Sequence, residues 1–494
     1  MNKHALRVTT LLVTAALAQY AHASGFQFSS QSAASQATAN SSAAEAADAS
    51  TISYNPAGLS YLDGTQFSGT LTVVVPTVEA KNATGRTLSG NAIAGRANDK
   101  IGDAAAAPHT YFSSRVNDRF AYGMGIYVPF GSGTEYEKDS VLRYNVNQTH
   151  LAVIALNPAV SFKLTPKLSV GFGVVAQHAE AELRQYANFA ASLARVYQLQ
   201  AAAAPAGSAQ QAALGAAAMR AIAQDGKGPL DGFAEISGDD WGVGFNFGML
   251  LDVSDNTRVG FNYRSKVKHE LAGTADWTLP SPSATEYPSA VSIIESSLGY
   301  RDSAASVKVT TPESYSLHIM HKFSPVLRMY ADISRTNHSS FTSADVKYAI
   351  PKTTINPAQA ATFTRLNPNW KDTTKVAIGG SYQLSDPLQL RFGIAHDKSP
   401  VPSANDRLST LPDSDRSWLS FGAKYAMSKS LVVDAAYSYI SIKDASANVN
   451  GYCGGTSPAT APATAVNCVS SYTTGTVNFE SSAHLVGIQA SYRF

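Results

Sequence analysis

The sequence predicts an all-β fold, a 14-stranded antiparallel transmembrane β-barrel, on three observations. Segments of apolar/polar alternation recur at lengths near the ~9–11 residues with which a tilted strand crosses a bilayer. The connections between them alternate short and long, as periplasmic turns and extracellular loops do. Charged residues make up 15% of the chain and aromatics 10%, where soluble domains carry ~25% charge. A soluble sandwich would show strands of ~5–6 residues without that alternation of connections. The net charge of +2 gives no reason to expect nucleic acid or an acidic substrate.

The chain opens with Lys3 and Arg7, a short apolar run from Leu11 to Ala18, and Ala21-His22-Ala23. That is the layout of a cleaved signal peptide over residues 1–23, with a mature start at Ser24. No later stretch approaches the ~18 consecutive apolar residues of a membrane helix. The strand pattern therefore decides the destination, the outer membrane of a Gram-negative bacterium. Residues 24–62 are not strand-like. They are rich in Ser and Ala and run to a breaker at Asn55-Pro56-Ala57-Gly58. Two readings stay open there, a compact segment of turns and short helix or a disordered leader.

The barrel is expected over residues 63–494. Its strands fall near 66–75, 110–116, 120–128, 152–164, 168–174, 241–253, 259–264, 315–323, 327–333, 376–384, 388–394, 419–425, 431–439 and 486–494. In the third, Phe120, Tyr122, Met124, Ile126 and Val128 form one face, opposite Ala121, Gly123 and Gly125. The sixth sets Trp241, Val243, Phe245, Phe247, Met249 and Leu251 against Gly242, Gly244, Asn246 and Gly248. In the last, Val486, Ile488, Ala490, Tyr492 and Phe494 oppose Gly487, Gln489, Ser491 and Arg493. This is the period of a strand with one apolar and one polar face. Asn117-Asp118, Thr165-Pro166, Ser254-Asp255-Asn256, Ser324-Pro325, Ser385-Asp386-Pro387 and Ser428-Lys429 supply the short turns.

The longest loop is dominated by good helix formers from Leu183 to Ile222, with Phe189, Leu193 and Val196 at helical spacing. One or two helices are expected, split near Pro205-Ala206-Gly207, either as a cover for the rim or as an apolar platform for a ligand. Cys453 and Cys468 share one Gly/Ser/Pro/Ala-rich segment. In an exported protein they read as a disulfide worth ~3 kcal/mol; free thiols and part of a metal site are the alternatives.

No enzyme constellation is present: no G-x-S-x-G, H-E-x-x-H, Walker or dinucleotide-binding pattern. His318 shares a strand face with Ser316, but such neighbours sit ~7 Å apart at the backbone. No catalytic residue, metal or cofactor is expected. The inward parity is heavy in Gly, Ser, Asn and Ala, with isolated Arg258, Arg264, Asp252 and Asp434. Such faces leave room for a plug, unlike the charged lumen of a hydrophilic porin.

Ser24-Gly25-Phe26-Gln27, then Asp48-Ala49-Ser50-Thr51-Ile52-Ser53-Tyr54-Asn55-Pro56-Ala57-Gly58-Leu59, resemble the N-terminal signature of the FadL/TodX hydrophobic-compound transporters. Val128-Pro129-Phe130-Gly131, followed by Thr134-Glu135-Tyr136, resembles the end of that family's third strand. Between Gln31 and Ala47 the chain departs from the family, with Ser, Ala and Gln in place of a Gly-containing stretch. The resemblance implies that residues 24–62 are a hatch inside the barrel, with a groove among the outer loops and an apolar pocket near the hatch's N-terminus. It further implies a gap in the wall at a kinked third strand, through which ligand leaves sideways into the membrane. Mapped onto this sequence, Phe26 and Phe28 belong to the pocket, Asn55, Pro56 and Ala57 face the kink, and Pro129, Phe130 and Gly131 border it. Pro129 suits an interrupted pairing, because it has no N–H to give a sheet.

The expected function is passive outer-membrane transport of hydrophobic molecules, long-chain fatty acids first, by a monomer. Aromatic hydrocarbon uptake by the same route is the alternative, and a general diffusion porin or a surface adhesin are the rivals. Lipopolysaccharide and outer-membrane lipid are expected at the surface, and Phe494 is the expected contact for the barrel-assembly machinery.

Overall fold

Period-two alternation puts one side chain in lipid and the next in the lumen, so a closed ring is the arrangement that satisfies every strand edge in a bilayer. The computed structural model describes residues 25–353, 360–453 and 468–494. The predicted signal peptide lies outside the described residues. Fourteen staves form the ring: β1 (Thr65–Arg86), β2 (Ala105–Arg115), β3 (Phe120–Glu135), β4 (Gln148–Lys163), β5 (Leu168–Asn188), β6 (Asp231–Ser254) and β7 (Thr257–Arg264), then β8 (Ser314–Lys322), β9 (Leu327–Thr336), β10 (Thr373–Gln383), β11 (Leu388–Asp397), β12 (Arg416–Ala426), β13 (Leu431–Asn450) and β14 (Thr474–Arg493). Each is antiparallel to its neighbours, and Gln66 of β1 stands opposite Arg493 of β14 to close the ring. The apolar parity faces out: Phe67, Leu71, Met124, Phe172, Phe245, Ile394, Phe421 and Ile488 are all exposed.

Several staves run past the bilayer and build the outer loops. β5 and β6 pair without a break from Leu168–Leu251 to Asn188–Asp231. Above β7, the segment 267–278 takes over as partner of β6 and carries three more strands, 303–311, 344–353 and 360–366, as an outer sheet. Residues 183–188, expected within the helical loop, are strand. The helices follow in the rest of that loop, with two more in the segment ahead of β1. In chain order they are α1 (Ala33–Gln36), α2 (Thr51–Tyr54), α3 (Ala190–Ala203) and α4 (Ala209–Ala223). α3 and α4 part at Pro205-Ala206-Gly207 and bury Phe189, Leu193, Tyr197 and Ala221 against Ile293, Ile294 and Leu298. Most of the pair's large apolar side chains are thus spent on its own packing over the rim.

The segment 25–62 lies inside the ring. It folds into α1, α2 and two 3₁₀ turns, Ala43–Glu45 and Pro56–Tyr61. Its Ala and Ser content is what lets this much chain fit: Ala33, Ala37, Ala39, Ala44, Ala49 and Ala57 are buried. The barrel meets it with glycine. A side chain at Gly171 or Gly248 would strike the Asn55-Pro56-Ala57 turn, at Gly379 or Gly393 the Thr38 backbone, at Gly422 Ala37 and at Gly487 Gln36. Three of the four isolated inward charges, Arg258, Asp252 and Arg264, are assigned as well. Arg258 pairs with Asp252 at 2.7 Å and lies 3.6 Å over the Tyr61 ring, while Arg264 donates to the Ser53 carbonyl at 2.6 Å. Glu45 is held by Arg391 at 3.0 Å and Arg328 at 3.2 Å. Gln489 donates to Asp48 at 2.9 Å and accepts from the Ala33 N–H at 3.1 Å. These bonds fasten the hatch to β7, β9, β11 and β14. Cys453 and Cys468 are joined as a disulfide at the outer rim.

Candidate ligand cavity and lateral opening

The third stave breaks its own rule. From Phe120 to Tyr127 exposure alternates; from Tyr127 to Thr134 every residue is buried. Val128, expected on the lipid face, is therefore turned inside. Pairing shows the reason. β2 and β3 pair from Arg115–Ala121 only as far as Thr110–Ile126. On its other side, β3 shifts register against β4 between Tyr127 and Phe130. Beyond that point Ala105 to His109 remain bonded to β1, but β3 has left them.

The start of the hatch fills the vacant place. Gln27 bridges Phe130 in antiparallel fashion. Phe28 N–H donates to the Pro129 carbonyl at 2.9 Å, and Gly131 N–H to the Phe26 carbonyl at 2.8 Å. Gln31 Nε2 adds a bond to the Val128 carbonyl at 2.8 Å. Pro129 offers only its carbonyl, and that carbonyl is used. Across the opening the His109 imidazole substitutes for a strand: its Nδ1 accepts from Val128 N–H at 3.3 Å, and its ring stacks on Phe28 at 5.9 Å.

Directly above the hatch start lies an apolar cavity of about 110 Å³, many times the ~10–15 Å³ that one water needs. Phe26 is on its floor; Leu151, Leu183 and Ile236 come from the staves, Leu271 and Val307 from the outer sheet, and Leu408 and Leu411 from the loop before β12. Phe26 is wedged among Trp370 at 5.2 Å, Phe341 at 5.6 Å and Phe130 at 5.8 Å. His338 stands edge-on to it at 6.3 Å. Burial, with Arg416 nearby, holds that imidazole down to about 3, so it adds no charge to the site. Gly25 N–H is anchored on Asp413 at 2.8 Å. On the other side of the Phe26–Phe130 partition the lumen is polar, with Gln27, Phe28, Asn262, Arg264, Asp332 and Lys375 around a second space.

The structure thus brings together Phe26, Phe28, Pro129, Phe130 and Gly131 at the break, but Phe28, expected in the pocket, lines the polar space instead of the apolar cavity. It places Asn55, Pro56 and Ala57 elsewhere, which corrects the expectation that they face the kink. Asn55 Nδ2 reaches the carbonyls of Met249 and Phe261, both at 3.1 Å, and the His318 ring at 2.8 Å, while its Oδ1 caps Ala57 N–H at 3.1 Å. Ser161 and Ser169 both donate to the Ala57 carbonyl, at 3.0 and 2.8 Å. This turn is an anchor against β4 to β8, because the amide of Asn55 and the recess left by Gly171 and Gly248 suit each other. Sequence reasoning missed His109, Phe341, Trp370, Leu408 and Leu411. They sit where the alternation has ended or in loops with no period, and nothing local marks them.

A lipid-belted ring with a filled lumen and an apolar chamber beside a break in its wall defines a class: outer-membrane channels for hydrophobic solutes. Over residues 14–494 the sequence matches the family described as outer membrane protein transport protein (OMPP1/FadL/TodX), and the chain belongs to it. A putative outer membrane protein of Neisseria meningitidis serogroup B is 41% identical over 496 residues, covering 100% of both chains. The long-chain fatty acid transport protein of Escherichia coli K12 is 28% identical over 449 residues, 89% of this chain and 92% of its own. Among solved structures, a Pseudomonas aeruginosa FadL homologue superposes with a TM-score of 0.75 at 21% identity, covering 95% of this chain and 100% of the other. The protein is an outer-membrane protein of the Gram-negative type.

Proposed function

We propose that the protein carries hydrophobic molecules, long-chain fatty acids first, by passive binding in the cavity over Phe26 and sideways release between β2 and β3. One observation carries this reading: the residue flooring the cavity, Phe26, belongs to the short segment that occupies the break in β3. Moving that segment unfloors the cavity and frees the break together. Each methylene buried in a dry site gains ~0.8 kcal/mol, and a ligand passing through the wall never re-enters water. Aromatic hydrocarbons are the second cargo, favoured by the ring cluster of Phe26, Phe341 and Trp370. On the same reading residues 1–23 are a signal peptide, 24–62 the hatch and 63–494 the barrel, and Phe494 is the signal for barrel assembly.

The test is a thiol staple, His109→Cys with Val128→Cys, joined by a short bifunctional reagent. Oleate uptake is expected to fall at least tenfold on cross-linking, compared with the same variant left unlinked, and a cleavable linker restores it. Uptake indifferent to the staple defeats lateral release. Toluene uptake measured in parallel ranks the two cargoes.

A further inference from the structure

Outside the apolar cavity, at the extracellular mouth, lies a second chamber of about 140 Å³ with a different chemistry. Six asparagines stand around it: Asn145, Asn367, Asn369, Asn405, Asn448 and Asn450. They come from three loops, around 145, 367–369 and 405, and from the outer end of β13, so their convergence is tertiary. Each keeps part of its amide uncommitted among the described residues. Asn145 donates to the Asn450 carbonyl at 3.0 Å, Asn369 to Asp406 at 2.7 Å, and Asn448 to Asn405 at 2.5 Å. Among the described residues that leaves Oδ1 of Asn145, Asn369 and Asn448 and Nδ2 of Asn405 without a partner, and Asn367 makes no side-chain hydrogen bond to any of them.

The charges around the chamber are, by contrast, already engaged. Arg365 grips Asp345 with two bonds of 2.6 and 2.7 Å. Arg407 donates to the carbonyls of Asp413 and Ser446, and Asp406 accepts from Asn369 and Ser403. Among the described residues a carboxylate arriving here meets Arg407, which makes no ion pair but already donates to two carbonyls, and the opposing carboxylate of Asp406, whereas a group that both donates and accepts meets donors and acceptors on several sides. Four aliphatic side chains, Leu183, Val346, Leu366 and Leu408, line this chamber and the apolar cavity alike.

We infer that the mouth is a binding site for an uncharged, hydroxyl-rich head group carried on an alkyl or acyl chain, such as a glycosyl or glyceryl lipid. The head lies among the asparagines and the chain runs over the shared aliphatic wall toward Phe26. The inference rests on the transport reading of the cavity and adds uncharged amphiphiles to the fatty acids as its substrates.

The test uses the full barrel in lipid nanodiscs, with empty nanodiscs as blank. Decyl maltoside below its micellar concentration, 1-decanoylglycerol and decanoate are titrated against the wild type, Asn367→Ala/Asn448→Ala and Phe26→Ala. Heat-modified mobility on a gel certifies that each variant is folded. The asparagine pair is expected to weaken at least one of the two hydroxylated ligands tenfold or more while decanoate changes less than twofold. Whichever hydroxylated ligand loses more identifies the head group as sugar or glycerol. Equal weakening of all three ligands, or of none, overturns the inference and leaves the transport reading standing. Failure of the wild type to bind any of them, with Phe26→Ala indistinguishable from it, removes the transport reading and this inference with it.

Discussion

At the scale of single residues, what the barrel omits matters as much as what it contains. Gly171 and Gly248 are the recess into which Asn55 and Pro56 fit. Gly171→Leu is expected to push the turn out of its seat and convert a quiet barrel into one with steady conductance in a planar bilayer. Asn55→Ala leaves the shape of the recess but strips the carbonyls of Met249 and Phe261 of a donor. It is expected to destabilise the folded barrel by about 1–3 kcal/mol, read from thermal unfolding. The plug-friendly character of these faces was legible in the sequence, because inward parity rich in Gly, Ser and Asn has few other uses. Where Asn55 sits was not. An N-P-A turn announces its local geometry, in which Asn55 caps Ala57, but not which stave offers the matching recess.

At the scale of elements, all fourteen staves were readable because lipid enforces a strict period of two wherever a strand crosses it. The same rule fails where β3 leaves the wall. Phe120 to Phe130 keeps an apolar parity throughout, so the pattern alone sends Val128 to lipid. Its true neighbours are residues of the hatch about a hundred positions earlier, which no local period encodes. The outer sheet was missed for a different reason. Val267, His269 and Leu271 alternate with Lys268 and Glu270, a visible pattern, but it lies beyond the membrane where alternation no longer implies a stave.

That sheet carries a titratable clamp. Lys352 is buried with its ammonium 4.9 Å over Tyr348 and 5.1 Å over Trp277, and it donates to the Gly299 carbonyl at 3.3 Å. Burial, helped by Arg301, lowers it from the ordinary 10.5 to about 8. The opened sheet therefore binds this proton more tightly than the closed one, and closing carries the full burial penalty below about 8. Protection of amides 344–353 from hydrogen exchange, corrected for intrinsic rates, is expected to increase as pH rises from 8 toward 10.5. Lys352→Met should abolish that increase.

For the whole molecule, rim and ring are separable. The Cys453–Cys468 bond closes a span of 15 residues at the mouth and stabilises the loop locally by up to ~3 kcal/mol. Reduction is expected to expose the outer loops to protease while the heat-modified mobility of the barrel stays unchanged. Loss of the folded band on reduction would show instead that the rim holds the ring together. Hatch and ring, by contrast, are inseparable. The hatch touches β2 through Gln31 and Tyr111, β6 to β8 through Asn55, β11 through Glu45 and Arg391, and β14 through Gln36 and Leu485.

The seam that joins the first stave to the last is β1 with β14, and the hatch, leading straight into β1, lies inside the ring that this seam closes. Residues 25–62 stand where a mandrel would, and the glycines that spare them room record its outline.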